Sequence, residues 1–248
     1  MRTFRLIRSR PASAVYNMAL DEKIFFRFMK DGIPVFRIYS WQSPSFTYGV
    51  SQKNPGREIV LSQCAKDGVY LAKRMTGGGI LFHNDEITYS LSCSKEDVGE
   101  KKEVFVSYRN ICAFLISFYR ALGLDPSFAL ERKDFNKHCA AHPLCSASRE
   151  KYDIVINGKK IGGNAQRRNK QAIFQHGSIP ISIDFDLMSR YIRFLPKEVY
   201  IETTSLSREL KRMPARGILE EKLIEAVKDS FGINFIEEEE PVHEALMA

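Results

Sequence analysis

The sequence predicts an α+β domain with a mixed, largely antiparallel sheet flanked by helices. Three observations carry this: long stretches of helical apolar spacing, a middle of short strand-like runs joined by turn dipeptides, and the separation of the two along the chain. Residues 14–31 read as the first helix. Val15, Met18, Glu22, Phe25 and Met29 recur at helical spacing, Ser13 can cap and Gly32 follows the end. Phe36–Tyr39 and Ser45–Tyr48 alternate like strands, with Pro or Gly at their edges. Residues 79–83, a turn at Asn84-Asp85 and residues 86–93 predict a hairpin. Residues 103–122 form the clearest helix: Phe105, Tyr108, Ile111, Leu115, Phe118 and Leu122 share a face before Gly123. Residues 152–156, the turn Asn157-Gly158 and the run from Lys160 predict a second hairpin, because both turn residues tolerate positive φ. Asn169-Lys170 turns the chain into 172–181. A last helix, 217–231, places Leu219, Leu223, Val227 and Phe231 on one side before Gly232, and Pro241 opens a loose tail.

The chain has 248 residues, enough for one substantial core, with 44% hydrophobic and 27% charged residues. It contains no apolar run long enough to span a bilayer and no apolar signal-peptide stretch behind Met1, and its five cysteines are irregularly spaced. These features predict a cytoplasmic protein with reduced thiols and no membrane association. The net charge of +7 admits nucleic acid, anionic lipid, phosphorylated ligands or an acidic protein as partner. Basic residues come in scattered short pairs without interleaved aromatics, which argues against a nucleic-acid binder.

Four groups of residues could carry chemistry. Arg74-Met-Thr-Gly77-Gly78-Gly79 places three glycines before a strand, where backbone amides can approach an anion and Arg74 can hold a phosphate or carboxylate; the alternative is a flexible turn. The run lacks the Gly-Lys-Ser/Thr of a nucleotide P-loop. Cys145 and Lys160 lie fifteen residues apart on either side of a short strand, and an ammonium beside a thiol favours the nucleophilic thiolate. Lys160 leads into Gly162-Gly163-Asn164-Ala165-Gln166. Two glycines inside a strand imply either a bulge or a ligand lying across them. His138, Cys139, His142 and Cys145 are four soft donors within eight residues, but no second pair completes a zinc site, so a polar loop with a reactive cysteine is the stronger reading. Cys112 and Cys93 read as core. His83 and His176 are each either hydrogen-bonded structural residues or part of a site. Asp21 and Glu22 read as solvent-facing or capping residues rather than an acid/base pair.

Taken together, Asn17-Met-Ala-Leu-Asp-Glu22, Arg37-Ile-Tyr-Ser-Trp41, Ser45 to Gln52, Arg74 to His83, Glu86-Ile-Thr-Tyr-Ser90, Gly158 to Gln166 and Gln175-His-Gly-Ser178 resemble the lipoate–protein ligase and octanoyltransferase family, which is related to biotin protein ligases. The resemblance runs through most of the chain and implies a biotin/lipoate ligase-like fold with an acyl or lipoyl chain in a tunnel. It implies that Lys160 sits at the acyl carbonyl, and that Arg74, Gly77, Gly78, Gly79, His83, Gly162, Gly163, Asn164, Ala165 and His176 bind substrate. Within the family it is closest to the cysteine-dependent octanoyltransferase branch, whose nucleophile occupies the register of Cys145. The residues after it, Cys145-Ser-Ala-Ser-Arg-Glu, depart from that branch's aromatic-Pro-Ser continuation. The implied reaction moves an octanoyl group from octanoyl acyl carrier protein to a lysine of a lipoyl domain or glycine-cleavage H protein, with no cofactor and no metal. The alternatives are an ATP- and Mg²⁺-dependent lipoate ligase acting through an adenylate at Lys160, and a lipoyl or octanoyl amidotransferase. A nucleic-acid-binding module and a zinc-stabilised scaffold are the readings outside enzymology. The expected organisation is one catalytic domain over 1–240 and a tail over 241–248, without a large C-terminal accessory domain, working as a monomer.

Overall fold

A computed structural model of the chain describes residues 2–99, 104–132 and 151–241, with the backbone alone over 104–107. In chain order the elements are β1 (Arg2–Arg8), α1 (Ala14–Asp31), β2 (Val35–Tyr39), β3 (Ser45–Tyr48), α2 (Leu61–Asp67), β4 (Tyr70–Lys73), β5 (Ile80–His83), β6 (Glu86–Ser94), α3 (Val104–Ala121) and β7 (Pro126–Phe128). After residue 150 come β8 (Ile154–Ile156), β9 (Lys159–Ile161), β10 (Gly163–Arg168), β11 (Ala172–Pro180), α4 (Phe185–Ser189), α5 (Lys197–Glu202), β12 (Thr203–Thr204), α6 (Leu206–Glu209), α7 (Arg216–Phe231) and β13 (Ile233–Glu237). The main sheet has the order β10-β11-β6-β2-β1-β13. It is antiparallel from β10 to β2 and parallel from β2 to β13, so the mixed α+β expectation holds. Two smaller sheets, β12-β9-β8-β7 and β4-β3-β5, flank it.

Strand parity sorts the main sheet into two faces. Phe4, Leu6, Phe36, Ile38, Tyr89 and Leu91 point to α3 and α7 and form the larger core with Phe114, Leu219 and Leu223. The alternate residues face α1, where Ile7 and Val35 meet Leu20 and Ile24. On this second face β6 carries Thr88, Ser90 and Ser92, all buried. A polar layer inside a fully buried strand costs free energy unless every group is bonded, and it marks the α1 face as the functional one.

The helices end where the sequence says. Ser13 accepts from Tyr16 N at the start of α1, and Gly32 (φ 68°) and Gly232 (φ 61°) close α1 and α7 in the left-handed conformation. The buried stripe of α1 is different from the expected one. Asn17, Met18, Asp21, Ile24, Phe25 and Phe28 are buried, whereas Val15, Glu22 and Met29 are exposed. Two polar residues on the inward face shift the apolar pattern around the helix. A second correction concerns 79–93. β5 and β6 do not pair as a hairpin: β5 pairs with β3 and β6 with β2 and β11, so Asn84-Asp85 is a corner between two sheets. His83 Nδ1 and Glu86 Oε1, 2.9 Å apart across that corner, hold it. The second expected hairpin is present. β8 and β9 pair antiparallel through Val155↔Lys160 and Ile156↔Lys159, around Asn157 (φ 50°) and Gly158 (φ 78°). Among the described residues, no helix is long and apolar enough to cross a membrane.

Candidate active site

The two-residue turn at Asn157-Gly158 fixes the register that puts Lys160 opposite Val155 and therefore diagonal to Asp153 on the same face. Lys160 Nζ lies 2.8 Å from Asp153 Oδ2, and both side chains are only 5% exposed. The Asp153 backbone is pinned in turn, its carbonyl accepting from Ala129 N at 2.8 Å. Asp153 carries the counter-charge that an ammonium requires away from water. The sequence reading missed it, although the hairpin register alone places it beside Lys160.

Two cavities meet at this point. The outer one, about 690 Å³ with its mouth included, is walled by Lys160, Gly162, Gly163, Phe185, Val199 and Thr203 among others. The inner one, about 280 Å³, lies under α1 and is lined by Met18, Trp41, Arg74, His83, Ala165 and His176 among others. Leu81, Gly163 and Ser178 belong to both walls. Gly162 has φ +72°, and a Cβ there would stand 1.9 Å from the Ser178 carbonyl oxygen, so the strand can make its step from β9 into β10 only with glycine. At Gly163 a Cβ would meet nothing within 4 Å, because the space beside it is the junction of the cavities. One glycine therefore serves the backbone and the other leaves room.

The inner cavity is surrounded by bonded polar groups. Asp21, expected to face solvent, is instead buried under α1, with Arg37 Nη1 at 2.9 Å, Tyr39 OH at 2.9 Å and Ser90 Oγ at 2.8 Å donating to it. Burial opposes its ionisation, but Arg37, then His176 and Ser90, outweigh that and hold the carboxyl below the usual range. His176 pairs with Thr76 Oγ1 at 2.8 Å, and its Nδ1 lies 3.8 Å from Asp21. Burial pushes this imidazole down, against the pull of Asp21 and with the help of Arg74, so the ring is neutral near pH 7. His83 stacks on Trp41 at 4.0 Å and bridges Thr47 (2.6 Å) and Glu86 (2.9 Å). Glu86 also accepts from Trp41 Nε1, Thr88 Oγ1 and Ser178 Oγ. Burial raises its pKa, but His83, Thr88 and Ser178 win and keep it below the usual range.

Arg74 is buried and donates to Thr47 Oγ1 at 2.9 Å and to the carbonyls of Gly77 and Gly79 at 3.1 and 2.8 Å. It thus ties the glycine loop to β3 while presenting one flank to the inner cavity. Gly77, Gly78 and Gly79 stand behind Arg74 and line neither cavity. Asn164 accepts from Tyr89 OH at 2.7 Å, and Gln175 Nε2 donates to the same hydroxyl at 2.6 Å. The structure therefore brings Arg74, His83, Gly162, Gly163, Ala165, His176 and Lys160 around one connected space. Asn164 belongs to its supporting network.

Cys64, Cys93 and Cys112 are buried, as expected for the last two. Burial drives the Cys112 thiol up to about 12, relieved in part by Gln175 and reinforced by Asp153, which leaves it inert. Cys145, with His138, Cys139 and His142, lies outside the described residues. Among the described residues no group of three or more His, Cys, Asp or Glu is arranged to hold a metal ion.

The mixed sheet thus holds a buried lysine on the wall of the outer cavity, next to the glycine at which that cavity joins the inner one. The sequence pattern of the lipoyl protein ligase A/B catalytic domain matches residues 13–232, and the chain belongs to that family. The chain is 36% identical to octanoyltransferase LipM of Bacillus subtilis over 188 residues, covering 74% of this chain and 67% of that protein. It is 32% identical to octanoyltransferase LipM of Halalkalibacterium halodurans over 241 residues, covering 95% and 86%. The bipartite lipoate protein ligase of Thermoplasma acidophilum superposes with a TM-score of 0.77 at 21% identity, covering 98% of this chain and 89% of that one. That likeness is one of fold.

Proposed function

We propose that this protein is an octanoyltransferase. It takes octanoyl from octanoyl acyl carrier protein and passes it to a lysine of a lipoyl domain or the glycine-cleavage H protein, through a thioester on Cys145. The observation that carries the reading is the buried Lys160–Asp153 pair, with Lys160 on the wall of the outer cavity close to where it joins the inner one. Its family membership and the octanoyltransferase relatives support the choice of group transferred.

The acyl chain lies in the inner cavity, with its carbonyl at the Gly163 junction beside Lys160. The Cys145 thiolate attacks that carbonyl, and charge builds on the carbonyl oxygen next to the Lys160 ammonium, which a low-dielectric site makes effective. Collapse expels the carrier's thiolate and leaves octanoyl on sulfur. The neutral amine of the acceptor lysine then attacks, loses its proton and takes the chain as an amide, which regenerates the Cys145 thiol. Thioester to amide runs downhill, so no nucleotide is consumed. Asp153 fixes the role of Lys160, because an ammonium held by a buried carboxylate acts as a cation rather than a base. Residues 1–240 act as one catalytic domain in the cytoplasm, with 241–248 as a tail.

Intact-mass spectrometry after mixing with octanoyl carrier protein in the absence of ATP tests this. A hydroxylamine-labile octanoyl adduct, lost in Cys145→Ala, is expected. No adduct, with lipoyl-domain modification only when lipoate, ATP and Mg²⁺ are supplied, would make the chain a lipoate ligase.

A further inference from the structure

We propose that residues 190–216, at the mouth of the outer cavity, form the docking surface for the acidic carrier protein that delivers the octanoyl thioester; this rests on the transferase reading. The first ground is charge. This segment holds seven Lys/Arg against three Asp/Glu, a net +4 of the chain's +7. Arg193, Lys197, Arg208, Lys211 and Arg212 are exposed, and none forms a salt bridge with a described residue. The basic residues at the β1–α1 end are different: Arg5, Arg8 and Arg27 are paired with Asp31, Glu221, Glu237 and Glu238. The exposed positive charge of this segment is thus left to attract an acidic partner.

The second ground is the apolar surface within that charge. Phe194, Tyr200 and Ile201 fall within eight residues and are 71%, 38% and 66% exposed. On α5, Lys197, Tyr200 and Ile201 stand at i, i+3 and i+4 and face outward, while Val199 points into the outer cavity. Aromatic residues ringed by cations match the composition of protein interfaces.

The third ground is continuity with the site. Phe185 forms part of the cavity wall, with the Tyr200 ring 4.6 Å away and the Arg208 guanidinium 4.8 Å above its face. β12 follows α5 directly and pairs with β9 through Thr203↔Lys160, so the patch and the lysine are joined by one strand pairing.

The test compares wild type with Lys197→Glu/Arg208→Glu, two exposed positions outside the catalytic residues, using two donors: octanoyl carrier protein and the uncharged thioester octanoyl-N-acetylcysteamine. The expected result is a KM for octanoyl carrier protein raised about tenfold, with kcat retained and much of its salt dependence lost. Turnover of the small thioester and KM for the lipoyl domain stay at wild-type values. A rise in KM for the lipoyl domain with carrier KM unchanged would assign the surface to the acceptor and overturn the proposal, and so would no change for either protein. Tyr200→Ala/Ile201→Ala gives an independent reading without charge reversal and is expected to raise carrier KM in the same direction. Absence of an octanoyl adduct on the wild-type chain from either donor would overturn the transferase reading itself, and this proposal with it.

Discussion

Replacing Asp153 with asparagine leaves the shape of the site and removes the charge that faces Lys160. At the observed 2.8 Å and an effective dielectric of about 20, the gross attraction between the two groups is about 6 kcal/mol. Desolvation offsets most of that, so the pair adds little net stability, but removing one member of a buried ion pair costs about 3 kcal/mol. For a chain of this size that lowers Tm by about 10 °C. Lys160 no longer has a fixed position on the cavity wall, and octanoyl-enzyme formation slows by about 100-fold. The assay is single-turnover acylation followed by intact mass, beside thermal unfolding of the same preparations. The double variant Asp153→Asn/Lys160→Met removes both charges of the pair. It is expected to recover stability to within about 1 kcal/mol of wild type while acylation stays lost. Asp153→Asn with wild-type Tm and an acylation rate within about twofold of wild type would refute the reasoning, since a pair that fixes nothing costs nothing to break.

The adjacent glycines give opposite predictions. Gly162→Ala forces a Cβ to 1.9 Å from the Ser178 carbonyl at φ +72°, and is expected to destabilise by about 3 kcal/mol in chemical denaturation. Gly163→Ala meets nothing within 4 Å; it folds normally but narrows the cavity junction, and it raises KM for the octanoyl donor. Asp21 is held below its ordinary range in the folded protein, so its contribution is fully present above the unfolded value and is lost as pH falls through the lower folded value. A Tm series in acid is therefore less pH-dependent in Asp21→Asn than in wild type, with a stability deficit at pH 7 of about 3 kcal/mol. The buried Cys64, Cys93 and Cys112 predict that native-state thiol titration shows no more than two fast-reacting thiols, one of which disappears in Cys145→Ala.

Much of this was legible in the chain. Long amphipathic helices with a glycine just past the end were readable because capping and periodicity are local. So was the 152–161 hairpin, whose Asn-Gly turn sets its own register. The corner at Asn84-Asp85 was not readable, because a turn dipeptide between two strand-like runs looks the same whether the strands pair with each other or with different sheets. The choice is made by β2, β3 and β11, which lie far away in sequence. Asp21 was misread for a related reason. An aspartate on a helix faces water unless something distant compensates it, and here Arg37, Tyr39 and Ser90 all do. The lysine and glycines of the site were visible as motifs. Asp153 lay within reach of the same hairpin register but stood in no motif, and what Glu86 and Ser178 bond to was not readable, since strand parity tells which side a residue faces but not what it meets there.

The central claim is a covalent relay, and a chase tests it most directly. Octanoyl-enzyme is isolated free of donor and mixed with a lipoyl domain in the absence of nucleotide, and both proteins are weighed over time. The account predicts loss of the octanoyl mass from the enzyme, matched by its gain on one lysine of the domain. An adduct that persists, or a domain that is modified only after ATP is added, would contradict it.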